Sequence, residues 1–244
     1  MKSVAFLALI AVLLGLSSCA ESEAISGAML GGSAAGAAYS DITFWWRCEG
    51  TTFSGTDDHS AGDDTPTANS AVAINTNHPM VGANAIEVPS GGDSYSFASA
   101  SIVDGSSGTL AFWWHSYLGE WASGQFLFRI ETGSGDYLAL AMYETDRLRF
   151  YWNGTTFTTT ATYLVATDYF IQVAFDVTTN TVQLIVNNSA DIDTTGTAIS
   201  ALTVDTIYWG SEGGGADYYI DNIMVSNDFE RDFYPLRATA AYPG

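Results

Sequence analysis

Two stretches decide the fold: "ITFWWRCEG" at residues 42–50 and "TLAFWWHSY" at residues 109–117, which share a Phe-Trp-Trp triplet. Successive side chains of a β-strand point to opposite faces, so each triplet places large aromatic side chains on both faces. In the first stretch Phe44 and Trp46 share one face, and Trp45 lies on the other. We predict that one aromatic face of each strand packs in a core and that the opposite face has a second role.

Stretches of this kind recur along the chain. They are short alternating runs rich in Val, Ile, Thr, Tyr, Phe and Trp, separated by clusters of Gly, Asn, Asp and Ser. Hairpin-like turns are predicted at 144–147, 152–155 and 178–181. This organisation predicts an all-β fold, an antiparallel β-sandwich. The predicted strands lie near 42–48, 71–75, 84–88, 93–98, 108–118, 125–132, 136–143, 147–152, 155–160, 168–177, 181–187, 203–210 and 217–226.

The second face of these strands has a mixed composition, with Trp, Tyr, His, Gln and Arg and small Ala residues between them. Aromatic planes stack on the C–H faces of sugar rings, and polar side chains hydrogen-bond to the hydroxyl groups. We therefore predict a carbohydrate-binding surface on this face. The alternative is that a covering loop buries these side chains. The predicted ligand-binding residues are Trp113, His115, Tyr117, Arg129, Tyr143, Arg149, Tyr151 and Gln172.

The N-terminal residues resemble an export signal. Lys2 precedes an apolar run at residues 4–16, which fits a signal peptide and is too short to span a membrane. The sequence "LSSCA" that follows resembles a bacterial lipobox, so residues 1–18 are predicted to be a lipoprotein signal peptide and Cys19 to carry lipid. The alternative is ordinary cleavage after Ala20. We expect an exported protein of the cell envelope, an outer-membrane lipoprotein attached to the membrane only through Cys19.

The rest of the chain divides by composition. Residues 19–40 are rich in Ala, Gly and Ser and are predicted to be a flexible tether. Residues 41–236 are predicted to form one β-sandwich domain, with 237–244 as a C-terminal tail. If Cys19 carries lipid, Cys48 is expected to be a buried thiol.

The charge is strongly acidic, with 27 Asp+Glu against seven Lys+Arg and a net charge of −20. Such a chain repels phosphate backbones, which excludes nucleic acid as a partner. The same acids are candidate ligands for a hard cation such as Ca²⁺.

The order of several motifs resembles a known superfamily. "FWWRCEG", "NAIEVPSGGDSYSF", "GTLAFWWHSY", "DRLRFYWNG" and "ADYYIDNIMVSND" together resemble the concanavalin A-like lectin/glucanase superfamily, and its laminin-G-like branch in particular. The resemblance covers about residues 41–236 and implies a jelly-roll sandwich. It also implies a structural Ca²⁺ where the first and last strands meet, although Cys48 stands where the family usually has Asp. The matching ligands are Glu49, Asp57, Asp58, Asp63, Asp64 and Asp221.

Catalytic motifs are weak. The glucanases of this superfamily carry Glu-x-Asp-x-x-Glu on one strand, and the nearest match, "ETDRLR" at 144–149, has Arg149 in place of the final acid. There is no Gly-x-Ser-x-Gly motif, and His59, His78 and His115 lack metal-ligand spacing.

Three functions follow, in order of preference. The first is a non-catalytic, lectin-like module that binds a polysaccharide or oligosaccharide. The second is a structural or adhesion module of the cell envelope that binds protein. A glycoside hydrolase is the least favoured, because it requires a pair of carboxylates that the motifs do not supply.

Overall fold

Two antiparallel sheets pack face to face in the computed structural model. The structure describes residues 41–53, 59–60, 66–68, 72–89, 94–97, 107–116, 125–132, 137–144, 146–195, 204–210, 217–229 and 231–239. These residues belong to one compact unit, Ser40–Tyr242. The strands are β1 Ile42–Trp46, β2 His59–Ser60, β3 Thr67–Ala68, β4 Ala73–Asn75, β5 Ala85–Val88, β6 Ser94–Phe97, β7 Ser107–Ser116, β8 Phe126–Thr132, β9 Tyr137–Tyr143, β10 Arg147–Trp152, β11 Thr155–Thr158, β12 Asp168–Asp176, β13 Thr181–Val186, β14 Ser189–Thr195, β15 Val204–Gly210 and β16 Tyr218–Ser226.

The first sheet has nine strands. Seven follow the order β14-β13-β12-β7-β16-β1-β2, and β5 pairs with both β16 and β4. The second sheet has seven strands in the order β11-β10-β9-β8-β15-β6-β3. The predicted antiparallel β-sandwich is confirmed.

The core lies between the sheets and is aromatic. Phe112 of β7 meets Phe128 of β8 and Trp209 of β15 edge-on, with ring centroids 6.1 and 5.0 Å apart. Edge-to-face pairs of this kind add about 0.5–1.5 kcal/mol each beyond the burial of their area. Phe44 and Trp46 of β1 also belong to this core, as the alternation predicts.

The hairpins follow from residues that tolerate left-handed backbone. Asn153 and Gly154 both have positive φ, at 39° and 80°, which is the turn that the right-handed twist of two strands favours. Asn187 and Asn188 repeat it, with φ of 49° and 65°. This second turn folds β13 back into β14, a strand that the sequence analysis did not predict because β14 is mostly polar.

A β-bulge changes one prediction about β8. Strict alternation places Phe126 in the core with Phe128 and Ile130. The pairing of β8 with β9 shifts between Phe126 and Phe128, and Leu127 enters the core instead. Because the extra residue reverses the alternation, Phe126 lies on the outer face, where it is partly exposed.

A segment after the last strand, residues 231–239, packs on the outer face of the nine-stranded sheet. It contains a short 3₁₀ helix, Tyr234–Leu236, and its Phe233 is fully buried. We call residues 231–239 the C-terminal segment. Among the described residues, no helix has the length and apolar character needed to cross a membrane.

Candidate functional site

The predicted ligand-binding residues lie on both outer faces of the sandwich. Trp113, His115 and Gln172 belong to β7 and β12 of the nine-stranded sheet. Arg129, Tyr143, Arg149 and Tyr151 belong to β8, β9 and β10 of the seven-stranded sheet. Tyr117 lies outside the described residues. The prediction of a single surface is therefore wrong, because the alternation within a strand does not tell which sheet the strand joins.

The C-terminal segment covers the part of the face that carries Trp113 and Gln172. The indole Nε1 of Trp113 donates a hydrogen bond to the backbone carbonyl of Arg237 at 2.7 Å. The backbone N–H of Phe233 donates to Oε1 of Gln172 at 2.6 Å, and Gln172 is 3% exposed. On this sheet the alternative of a covering segment is the correct one, so Trp113 and Gln172 have structural contacts.

Trp45 of β1 is also buried on this covered face. Its Nε1 donates to Oδ1 of Asn222 at 2.6 Å, and Nδ2 of Asn222 donates to the carbonyl of Arg237 at 3.2 Å. The second aromatic of each Phe-Trp-Trp triplet therefore connects a strand to the C-terminal segment or to its immediate support.

The outer face of the seven-stranded sheet has a different character. Among the side chains that the structure describes on this face, the large ones are aromatic or arginine, and each is partly or fully exposed. We call this set the aromatic–arginine face. Its members are Phe126, Arg129, Tyr143, Arg147, Arg149, Tyr151 and Tyr208.

Strand register places the aromatic–arginine face in rows across the sheet. One row contains Tyr208, Arg129, Ala139, Tyr151 and Thr156, one residue from each of five neighbouring strands. At about 4.8 Å between strands, this row extends over about 19 Å. An extended ligand could therefore contact several of its side chains at once.

Two alanines form the floor of this face. Ala139 and Ala141 of β9 are 0% exposed although they point outwards. The rings of Phe126 and Tyr151, on the two strands that flank β9, meet with centroids 5.7 Å apart. Small residues in β9 thus allow the larger side chains on either side to close over them.

The arginines of this face concentrate positive charge on an acidic protein. Lys2 is the single lysine among seven Lys+Arg, so the chain has six arginines, and three of them, Arg129, Arg147 and Arg149, are on this face. The guanidinium of Arg149 lies 3.0 Å from the ring centroid of Tyr143, and its Nε donates to Oγ1 of Thr158 at 3.2 Å. Among the described carboxylates, none forms an ion pair with Arg147 or Arg149. Their charge therefore remains available to an anionic group.

A second cluster lies at the end of β7. His115 is 6% exposed, and its Nδ1 lies 2.6 Å from Oδ1 of Asp168, the residue directly opposite it on β12. His78, from the segment between β4 and β5, places Nε2 at 2.8 Å from the same oxygen. The two imidazole centroids are 3.6 Å apart. His78 and His115 lack metal-ligand spacing in the sequence, but the fold brings their rings together beside one carboxylate.

Burial and hydrogen bonding shift the pKa values in this cluster. Burial lowers the pKa of His115, against the hydrogen bond to Asp168, which raises it. Burial alone would raise the pKa of Asp168, but its hydrogen bonds with His78 and His115 outweigh burial and lower it. The carboxylate is therefore ionised, and His115 favours the neutral imidazole.

Two predicted calcium ligands, Glu49 and Asp221, bind the backbone of one loop. Oδ2 of the fully buried Asp221 accepts N–H bonds from Met80 at 2.9 Å and Val81 at 2.7 Å. Both carboxylate oxygens of Glu49 accept from the N–H of Ala83 at 3.0 Å. Gly82 has a φ of +73°, and a Cβ there would collide with Glu49. The loop is thus folded around the two carboxylates.

Burial raises the pKa of Asp221 to about 8, and the N–H bonds from the loop only partly offset this. Its second oxygen, Oδ1, is buried without a hydrogen-bond partner among the described residues. Ca²⁺ takes six to eight oxygens, so this oxygen is one suitable donor but not a complete site. Asp57, Asp58, Asp63 and Asp64 lie outside the described residues, and the calcium site stays a prediction.

Sequence reasoning missed several residues of these clusters. Alternation assigned Phe126 to the core with Phe128, and the bulge in β8 places it on the outer face instead. Tyr208 lies directly opposite Arg129 in the pairing of β15 with β8, and the sequence alone does not show this pairing. His78 and Asp168 are 90 residues apart, and only the pairing of β5, β16, β7 and β12 brings them together.

No protein-family model matches the sequence, and no curated protein matches it either. Solved structures do resemble the fold. A botulinum neurotoxin type C chain, which needs two ganglioside molecules to get into cells, matches with a TM-score of 0.62 and 11% identity over 81% of this chain. A binding domain of botulinum neurotoxin DC, in complex with rat synaptotagmin II, matches with a TM-score of 0.61 and 11% identity over 81% of this chain.

The cellulose-induced protein Cip1 also matches, with a TM-score of 0.53 and 11% identity over 78% of this chain. The chain spans about half the length of the two neurotoxin chains, 50% and 51%, and 93% of Cip1. At such low identity these likenesses show the fold, a β-sandwich that also occurs in binding domains.

Proposed function

We propose that the chain is a non-catalytic, carbohydrate-binding module and that its ligand binds to the aromatic–arginine face. The observation that carries the proposal is the cluster of partly exposed aromatic and arginine side chains in rows across five strands. Aromatic rings offer planes for stacking, and guanidinium groups offer paired N–H donors to hydroxyl and carboxylate oxygens. The likeness of the fold to a neurotoxin whose cell entry depends on two ganglioside molecules supports this class of ligand.

The charge favours an anionic glycan. Arg147 and Arg149 form no ion pair with a described carboxylate, on a protein of net charge −20. A neutral sugar would leave these charges uncompensated, whereas a uronate or sulfate group would pair with them. We therefore propose an acidic polysaccharide or oligosaccharide as the ligand.

Non-catalytic action agrees with the geometry of "ETDRLR". Glu144 and Asp146 lie in the hairpin between β9 and β10, and both have positive φ, 47° and 69°. They do not share one face of a strand, which the glucanase arrangement of carboxylates requires. The nearest catalytic motif is therefore a polar turn.

Export and lipid attachment complete the proposal. Cys19 would anchor the module to the outer membrane, and residues 19–40 would let the domain reach glycans at the cell surface. Mass spectrometry of the mature N-terminus tests this directly. A diacylglyceryl-modified Cys19 is expected, and cleavage after Ala20 without lipid would contradict it.

An array of neutral, uronic-acid and sulfated glycans tests the function. We expect binding to acidic glycans, with affinity falling as salt rises because the arginines are solvent-exposed in part. The substitutions Tyr151→Ala and Arg149→Gln are each expected to weaken binding at least about tenfold, or 1.4 kcal/mol. Arg47→Gln, which removes the same charge beside the nine-stranded sheet, is the matched control and should bind as the wild type does.

Specific outcomes separate the alternatives. Binding to neutral glycans alone would overturn the acidic ligand and keep the carbohydrate-binding function. No binding to any glycan by a folded protein would overturn both and favour the protein-binding alternative, for which the neurotoxin domain bound to synaptotagmin II is the structural parallel.

A further inference from the structure

We propose that His78, His115 and Asp168 form a binding site for one divalent transition-metal ion such as Zn²⁺. Each of the three residues offers one ligand atom, and these atoms lie within 4.8 Å of one another. Two of the three residues belong to the nine-stranded sheet, so the site does not depend on the proposed carbohydrate-binding face on the other sheet.

The sheet positions two of the three ligands. His115 and Asp168 face each other directly across β7 and β12. Tyr219 of β16 is the partner of His115 on the opposite side, with ring centroids 6.1 Å apart. His115 is buried between these neighbours, so its ring has little freedom, and the carboxylate beside it is set by strand register. Preorganised ligands of this kind lose little entropy when a metal binds.

His78 brings the third ligand from outside the sheet. Its ring lies against that of His115 at an interplanar angle of 34°, and its centroid is 5.6 Å from that of Tyr219. Its Nε2 and the Nδ1 of His115 both point at one carboxylate oxygen, Oδ1 of Asp168, at 2.8 and 2.6 Å. Two imidazole nitrogens therefore lie close to one carboxylate oxygen, and all three atoms are candidate metal ligands.

The convergence fits the dimensions of a zinc site after a small adjustment. Zn–N and Zn–O bonds of about 2.0–2.1 Å in a tetrahedron separate the ligand atoms by about 3.3 Å. The separations to Oδ1, 2.8 and 2.6 Å, are about half an ångström shorter, which is the length of a hydrogen bond. The His78 side chain is 35% exposed and that of Asp168 44%, so both can move outwards by this amount.

The donor set selects the class of metal. Imidazole suits Zn²⁺ and the neighbouring first-row ions, whereas Ca²⁺ and Mg²⁺ prefer oxygen ligands. Three protein ligands leave one position of a tetrahedron for water or an external ligand. Because His78 and Asp168 are partly exposed, we expect the fourth position to face solvent.

The test is a calorimetric titration with ZnCl₂ alone as the probe. The full-length protein is purified without a histidine tag, treated with EDTA and desalted, and an excess of Mg²⁺ occupies its surface carboxylates. We expect one Zn²⁺ per chain. His78→Gln and Asp168→Asn are each expected to weaken binding by more than the about 10–100-fold that the loss of an outer-sphere partner costs. His59→Gln, which changes the third histidine of the chain, should leave binding unchanged.

A second readout uses Co²⁺ in place of Zn²⁺. A tetrahedral site with two imidazoles gives visible ligand-field absorption, which should appear with the wild type and disappear with His78→Gln. His78 is partly exposed, so this variant is expected to fold, and circular dichroism checks that it does. A wild type that binds less than about one fifth of an equivalent of Zn²⁺, or a His78→Gln variant that binds as tightly as the wild type, would overturn the proposal.

Discussion

Asp221→Ala is expected to lower the free energy of unfolding by about 2–6 kcal/mol. The side chain is fully buried, and its Oδ2 accepts the N–H groups of Met80 and Val81. Removing it leaves two backbone donors without a partner, and each costs about 1–3 kcal/mol. Urea denaturation followed by tryptophan fluorescence measures the change. A loss below about 1 kcal/mol would show that the loop does not depend on this carboxylate.

Asp221→Asn is the matched variant, because its amide oxygen can accept the same two N–H bonds. It also removes a proton-binding group whose pKa is about 8 in the folded protein, above the ordinary 3.8. Between these values this carboxyl binds more protons in the folded state than in the unfolded state, so its contribution to the stability of the wild type should fall as pH rises from about 4 to about 8. Asp221→Asn lacks this contribution, so the stability difference between wild type and variant should change with pH over this range. Urea denaturation of both proteins is measured at each pH in the presence of EDTA, because the predicted Ca²⁺ would favour the ionised carboxylate.

Phe233→Ala is expected to lower the free energy of unfolding by about 3–5 kcal/mol. Phe233 is 0% exposed and anchors the C-terminal segment over the nine-stranded sheet, where its N–H also bonds to Gln172. The same denaturation measurement applies. Leu164→Ala is the control, because Leu164 is 64% exposed and its truncation should change stability by no more than about 0.5 kcal/mol. If the two variants were equally stable, the segment would not be part of the packed fold.

Trp113→Phe gives a smaller effect at the same interface. An aromatic ring still faces Phe170, now 5.4 Å from Trp113 between centroids, whereas the hydrogen bond from Nε1 to the carbonyl of Arg237 and part of the indole's packing are lost. We expect a loss of about 0.5–1.5 kcal/mol, measured by thermal or urea denaturation. An unchanged stability would contradict the structural role that we assign to Trp113.

The fold could be predicted from the sequence because alternation is a local signal. Leu110, Phe112 and Trp114 follow a two-residue period, and such a period identifies a strand without knowledge of its neighbours. The Asn-Gly turn at 153–154 could be predicted for the same reason. The polar strand β14 could not, because few of its residues are buried and its pattern is weak.

The candidate site was harder to predict because its residues come together through strand order. Alternation correctly placed Trp113 and Arg149 away from the core, but it could not show that they lie on different sheets. Nor could it show that the C-terminal segment covers one face only. The cluster of His78, His115 and Asp168 depends on pairings over long stretches of chain, and no local pattern encodes them.

The measurement that tests the central claim most directly compares two variants, one on each outer face, on the same acidic glycan. Calorimetry would give the affinity of the wild type, of Tyr151→Ala on the aromatic–arginine face, and of Trp113→Phe under the C-terminal segment. We predict that Tyr151→Ala loses at least about tenfold in affinity while it still unfolds cooperatively, and that Trp113→Phe binds as the wild type does. Full binding by a folded Tyr151→Ala protein, with loss of binding in Trp113→Phe, would contradict the account and place the ligand on the other sheet.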